Sequence, residues 1–289
     1  MAHSPGPSIA ESLREYGRGL AGGLIFSLPL LYTMEVWWEG FNAQPLRLLL
    51  YVLATFLLLL GYNRFAGLRR DASWTEVAID SVEELGLGVV TAAVMLYAIG
   101  RIGPHTTLSE TIGQIVVEAG IVAIGFSVGT AQLGSGNDEE ESGMAEDDDG
   151  IAEDDSGQVH FGGQLVVTFC GAVLFAANVA PTEEILVIAI ETGPLRLLLL
   201  ALISLGLGAL ILYFTDFARA SRYSPIETKR QAFRGTIITY AIALGASAAI
   251  LWFFGRFDDQ AASIVVSEIV VLGFPATLGA SAGRLLLQS

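Results

Sequence analysis

The 29 residues Gly22–Leu50, GGLIFSLPLLYTMEVWWEGFNAQPLRLLL, have an echo 149 positions later in Gly171–Leu199, GAVLFAANVAPTEEILVIAIETGPLRLLL. Ten of the 29 positions are identical without a gap. Leucines match cheaply, but Thr33 and Glu35 also fall on Thr182 and Glu184, and Pro45-Leu46-Arg47 falls on Pro194-Leu195-Arg196. Further along, Gly100-Arg101 matches Gly255-Arg256. Glu118, Ser127 and Gly129 match Glu268, Thr277 and Gly279 at an offset of 150. The chain therefore reads as one unit written twice.

Each unit is apolar throughout. The 289 residues have a mean hydropathy of +0.58, and only 16% are charged, against about 25% in soluble domains. Eight apolar segments stand out: Leu20–Trp38, Leu46–Tyr62, Leu85–Ile102, Ile112–Leu133, Leu165–Ile190, Leu195–Phe217, Gly235–Phe254 and Ile264–Leu287. Most approach or exceed the ~20 residues that cross about 30 Å of hydrocarbon. Period-2 alternation is missing, which excludes a β-barrel. The expected fold is an all-α integral membrane protein with eight transmembrane helices in two four-helix repeats. Four is an even number, so both repeats enter the bilayer from the same side and are parallel. Parallel repeats are related by an axis along the membrane normal. The expected division is a tail over 1–17, repeat one over 18–134, a linker over 135–160 and repeat two over 161–289.

Basic residues orient the chain, because cytoplasmic loops collect Lys and Arg. With the N-terminus inside, Arg14, Arg18, Arg64, Arg69, Arg70, Arg219, Arg222, Lys229, Arg230, Arg234 and Arg284 are internal. Only Arg47, Arg101, Arg196 and Arg256 are external. Both termini and the linker are then cytoplasmic in a multi-pass protein of the cell membrane. The linker run Asp138–Asp155 carries 11 of the chain's 30 acidic residues and reads as solvated. A net charge of −15 argues against nucleic acid as a partner. With one lysine against 14 arginines, the composition is similar to that of salt-adapted archaeal proteins.

Glu35, Glu118, Glu184 and Glu268 lie inside apolar segments, where carboxylates are costly and usually face a polar path or a partner. The topology places all four in the outer half of the membrane, about 6–9 Å from its centre, where they are able to converge. Glu183 is an extra carboxylate in the second half. Pro29 and Pro181 are helix breakers, and Pro181 leaves the Ala177 carbonyl free. Thr33, Thr182 and Asn178 add oxygen ligands of the kind that suit Ca²⁺ or Na⁺. Two other readings stand beside a cation site. Arg47, Arg196, Arg101 and Arg256 are able to neutralise the glutamates in structural ion pairs. The carboxylates are also able to carry protons without metal.

No H-E-x-x-H or P-loop is present, G-x-S-x-G at Gly125–Gly129 and Gly279–Gly283 lies inside apolar segments rather than at a strand-to-helix turn, and His3, His105 and His160 are scattered, so neither an enzyme nor a zinc site is expected. The lone Cys170 excludes an intrachain disulfide. Asp80, Glu83 and Glu84 read as a solvated helix start, with an inner vestibule as the alternative. The helix glycines read as packing contacts.

The stretches LPLLYTMEVW (Leu28–Trp37) and NVAPTEE (Asn178–Glu184) resemble an uncharacterised family of integral membrane proteins of unknown function, found in haloarchaea and some bacteria. That resemblance covers both halves and implies a membrane protein without supplying an activity. The Pro–Glu pair after Asn178 is also similar to the repeat motifs of cation/Ca²⁺ exchangers, whose repeats are inverted where these read as parallel. The expected function is a cation transporter or channel, with Glu35 and Glu184 as principal ligands of a bound Ca²⁺ or Na⁺. The alternative is a non-transporting scaffold or sensory partner. The expected partners are the lipid bilayer and an inorganic cation, and the sequence is compatible with a homo-oligomer.

Overall fold

A computed structural model describes residues 9–67, 73–132, 161–219 and 225–286. The acidic linker, Arg69, Arg70, Arg222, His3 and His160 lie outside these residues. Among the described residues there are ten α-helices and no strand. They are α1 (Ile9–Leu31), α2 (Met34–Asn42), α3 (Pro45–Ala66), α4 (Trp74–Ala98), α5 (Leu108–Gln132), α6 (Phe161–Ala177), α7 (Glu183–Glu191), α8 (Pro194–Arg219), α9 (Pro225–Phe253) and α10 (Ala262–Leu286). By length and apolarity, α3, α5, α8, α9 and α10 are able to cross a bilayer, and α1 with α2 makes a sixth candidate.

The first and fifth apolar segments are each broken. α1 and α2 meet at 86° across Tyr32-Thr33. A helix end leaves its last carbonyls without partners, and here local groups take them. Pro29 O accepts from the Thr33 hydroxyl at 2.6 Å, Leu30 O from the Thr33 amide at 2.9 Å, and Leu31 O from the Trp37 indole at 3.1 Å. Pro29 itself stays inside α1, so the break falls after it rather than at it. The second half repeats the device: the Thr182 amide donates to Val179 O at 3.1 Å, and the Asn178 amide group to Leu174 O at 2.6 Å.

Helix boundaries follow local chemistry. α3 and α8 both start at a proline, whose missing N–H is harmless in the first turn. α4 opens with a reciprocal Ser73–Glu76 capping box. α4 and α9 end alike. Gly100 (φ 74°) and Gly255 (φ 67°) take the left-handed conformation that side chains resist. The following amides, Arg101 and Arg256, donate five residues back to Leu96 O at 2.8 Å and Leu251 O at 2.9 Å.

Packing is organised around α5 and α10. α5 packs on α1, α2, α3 and α4, and α10 on α6, α7, α8 and α9. Glycines let the central crossings close. A Cβ added at Gly22 would fall 2.5 Å from the Gly129 Cα, and one at Gly171 would strike the Gly279 carbonyl. The halves join through α3 against α6, with Tyr51 of α3 stacked on Phe253 of α9 at 4.2 Å between centroids. One apolar core runs through both halves, including Leu59, Ile124, Val173 and Leu272. Leucines face outward at matched positions, Leu46, Leu49, Leu50 and Leu53 on α3 and Leu195, Leu198, Leu199 and Leu202 on α8, as a lipid-facing surface requires.

Candidate functional site

The two glutamates at offset 150 are the most enclosed. Glu118 on α5 is 1% exposed and Glu268 on α10 is 0% exposed. Neither carboxylate oxygen of either residue has a hydrogen-bond partner. Glu118 lies two residues from the middle of α5, about 3 Å along its axis. One turn before it on the same face, Gln114 is equally buried, and its amide oxygen and nitrogen are both without partners. Flanking this face, Tyr51 donates its hydroxyl to Val117 O at 3.0 Å. α2 lies across the start of α5, so close at Gly40 that an added Cβ would come 2.7 Å from the Gln114 Cα.

The other expected ligands are arranged differently. Glu35 is half-buried in the first turn of α2, while Glu183 and Glu184 are exposed in the first turn of α7. The breaks in the first and fifth segments put all three on short helices, α2 and α7, that follow α1 and α6. Thr33 and Thr182 donate their hydroxyls backward, to Pro29 O and to Val179 O at 2.9 Å. Asn178 donates to Leu174 O and, across to α1, to Phe26 O at 3.0 Å; its own oxygen is buried and unpartnered. Convergence of the four glutamates is not what the fold gives. Among the described residues no group of three or more His, Cys, Asp or Glu is placed to hold a metal ion. α6 stands between α5 and α10 and packs on both, so each half keeps its own carboxylate.

The arginines do not pair off with the glutamates as a set. Arg47 bridges to Asp258 at 2.7 Å and lies 5.8 Å from the Trp252 ring centroid. Arg101 stacks 4.0 Å above the Trp37 ring, a favourable cation–π geometry. Arg196 is exposed. Arg256 donates to Pro181 O, and it alone stands close enough to a buried glutamate, Glu268, to act on its charge. The carbonyl that holds an arginine is that of Pro181.

A second polar cluster was not anticipated. Asn63 on α3 donates to Glu84 Oε2 at 2.7 Å and Ser81 Oγ at 3.1 Å on α4, and accepts from Ser127 on α5 at 2.7 Å. All four residues are buried. Glu84 is therefore an interior carboxylate two residues from the middle of α4, not part of a solvated helix start. Its neighbour Glu83 does face outward, where it accepts a hydrogen bond from Tyr16. The legible signal was Asn63 ending a run of leucines. In the second half, Leu212, Thr236, Thr239 and Thr277 occupy the matching buried positions.

A family model described as "Putative integral membrane protein (DUF2391)" matches residues 15–287. The chain belongs to this family. The match runs through both halves and the stretch between them, so the family's description as integral membrane proteins applies to nearly the whole chain. No curated protein and no solved structure matches it. Family membership supplies a location in the bilayer and no activity, which leaves the buried carboxylates to carry the functional argument.

Proposed function

We propose that this family member binds and moves a cation, with Glu118 and Glu268 as the matched sites of its two halves. The observation that carries the reading is that both carboxylates are wholly buried and wholly without hydrogen-bond partners. A bare buried carboxylate costs several kcal/mol, and such a group calls for an occupant. A monovalent cation such as Na⁺, or a proton, matches one carboxylate helped by the Gln114 amide oxygen. Ca²⁺ demands six or more oxygens and is the weaker candidate. Glu35, Glu183 and Glu184 then serve as outer vestibule groups rather than principal ligands.

In this reading the chain crosses the bilayer eight times, through α1, α3, α4, α5, α6, α8, α9 and α10, while α2 and α7 lie across the outer ends of α5 and α10. The two halves are parallel repeats. What supports this is the matched set of breaks, proline starts, glycine caps, glycine crossings and outward leucines. The arginine distribution puts both termini in the cytoplasm. Protease reaching a C-terminal tag from outside intact cells would sink that orientation.

The decisive test is the thermal stability of purified protein, titrated with Na⁺, K⁺, Mg²⁺ and Ca²⁺ at constant ionic strength and across pH. A ligand that binds only the folded state raises stability as it passes its dissociation constant. The expected result is a saturable rise for one cation, lost in Glu118→Gln plus Glu268→Gln, with matching loss of flux in liposomes. A response that is flat to every ion and unchanged by the double substitution falsifies the proposal. The second reading, a non-transporting scaffold, draws on the Arg47–Asp258 bridge between the halves and on the proximity of Arg256 to Glu268. It predicts no cation response and a marked loss of fold stability in Arg256→Ala.

A further inference from the structure

The two buried glutamates occupy matched places, but the side chains around those places do not match. Gln114, one turn before Glu118 on α5, is buried with its amide oxygen and nitrogen unpartnered. Tyr51 of α3 also stands beside Glu118. At the matched positions the second half has Ile264, one turn before Glu268, and Leu200 on α8. At both places the oxygen-bearing side chain belongs to the first half.

The matched arginines differ in the complementary sense. Arg101 is stacked on Trp37, whose indole N–H is itself fixed on Leu31 O. Glu118 lies ten residues into α5, about 15 Å from its start, and among the described residues no cationic group acts on it. In the second half Leu186, which offers an arginine no ring, stands where Trp37 does. The connection is also five residues shorter, with 12 positions from Arg256 to Glu268 against 17 from Arg101 to Glu118. Glu268 lies six residues into α10, about 9 Å from its start. Arg256 donates to Pro181 O and stands close enough to act on the charge of Glu268, with Glu39 of α2 also near it. A guanidinium keeps its charge in any protein environment, so the second half carries a counter-ion of its own.

We propose that the two carboxylates hold different cations, a mobile ion at Glu118 and the Arg256 guanidinium at Glu268, so that each chain takes up one ion. Gln114 and Tyr51 complete the first site with neutral oxygens. A guanidinium on its own chain does not exchange with solution, which makes the second half the fixed member and the first the exchanging one. This rests on the cation reading and narrows it from two sites to one.

Single substitutions test it, read as the melting temperature of the purified protein titrated with Na⁺, K⁺, Mg²⁺ and Ca²⁺ at constant ionic strength. Glu118→Gln should abolish the saturable cation response, and Glu268→Gln should leave its midpoint unchanged. A response lost in Glu268→Gln as fully as in Glu118→Gln overturns the proposal. Melts in cation-free buffer test the arginine separately by double-mutant cycles. Arg256→Gln should lower the melting temperature, and adding Glu268→Gln should recover most of the loss, whereas Arg101→Gln and Glu118→Gln should be additive. Coupling of Arg256 to Glu39 that exceeds its coupling to Glu268 also overturns the proposal, because the guanidinium then belongs to α2. Should Arg256→Gln fail to fold, the Glu118→Gln and Glu268→Gln titrations decide alone. The two layers come apart cleanly. If no cation shifts the unsubstituted protein, the cation reading fails and the ion count with it, even where the Arg256–Glu268 coupling is found. If the cation response is present and that coupling is absent, only the assignment of Arg256 is wrong.

Discussion

At Asn63 a single amide ties α3 to α4 and α5. Its removal leaves the Glu84 carboxylate and the Ser127 hydroxyl to find other partners inside an apolar core. Leaving a buried polar group unsatisfied costs about 1–3 kcal/mol, and more for a charged one. Asn63→Leu should therefore lower the melting temperature in detergent clearly. Adding Glu84→Leu should recover part of the loss, because the orphaned carboxylate goes with it. If the double variant is worse than the single by a further full increment, the two residues act independently and the cluster is not a unit. Glu118 predicts the opposite sign. It already lacks partners, so Glu118→Gln should hold or raise stability in cation-free buffer, as measured by the same melt. Of these residues the sequence exposed Glu118 and Glu268 readily, since a carboxylate in an apolar run is conspicuous. Asn63 and Gln114 were passed over because an uncharged amide barely moves the hydropathy of its segment.

Individual elements show where sequence reading succeeds and where it stops. The eight apolar segments all became helices, because apolar length is a local property of the chain. Breaks were expected at Pro29 and Pro181: the second falls around Pro181, over Asn178–Thr182, while the first falls at Tyr32–Thr33, after Pro29, and its position was not read. A hydropathy window averages straight across a bend, and these bends are set by hydrogen bonds from Thr33, Trp37 and Asn178 that have no hydropathy signature. Glycines were read as packing contacts, and the crossings bear that out at Gly22 and Gly171. Substitution should separate the two kinds of glycine. Gly22→Val or Gly171→Val drives a side chain into the backbone of the facing helix, so overpacking of about 1–3 kcal/mol or more is expected. Gly86, on the exposed face of α4, meets nothing within 4 Å, so Gly86→Ala should stabilise by about 0.5–1 kcal/mol through helix propensity. Thermal melts of the three variants side by side check this, and equal effects would refute the assigned crossings.

Across the whole molecule, an apolar seam and, among the described residues, one ion pair beside it hold the halves together. Arg47–Asp258 looks like a clasp, but Asp258 is 58% exposed, and exposed pairs contribute about 0–1 kcal/mol. A double-mutant cycle with Arg47→Ala and Asp258→Ala should give a coupling in that range that shrinks as salt rises. A coupling of several kcal/mol would mean that the seam depends on the bridge rather than on α3 and α6. The same comparison of halves bears on how such a chain diversifies. Identical subunits encoded by one gene must change together, whereas two halves on one polypeptide are free to drift apart. Where the first half keeps Asn63 and Glu84, the second has Leu212 and Thr239 in equally buried places. Two halves on one polypeptide thus permit a division of labour: one half has an ionisable interior at this place, the other a leucine and hydroxyls, and the molecule gains a lopsidedness that selection on a lone repeat has no means to write.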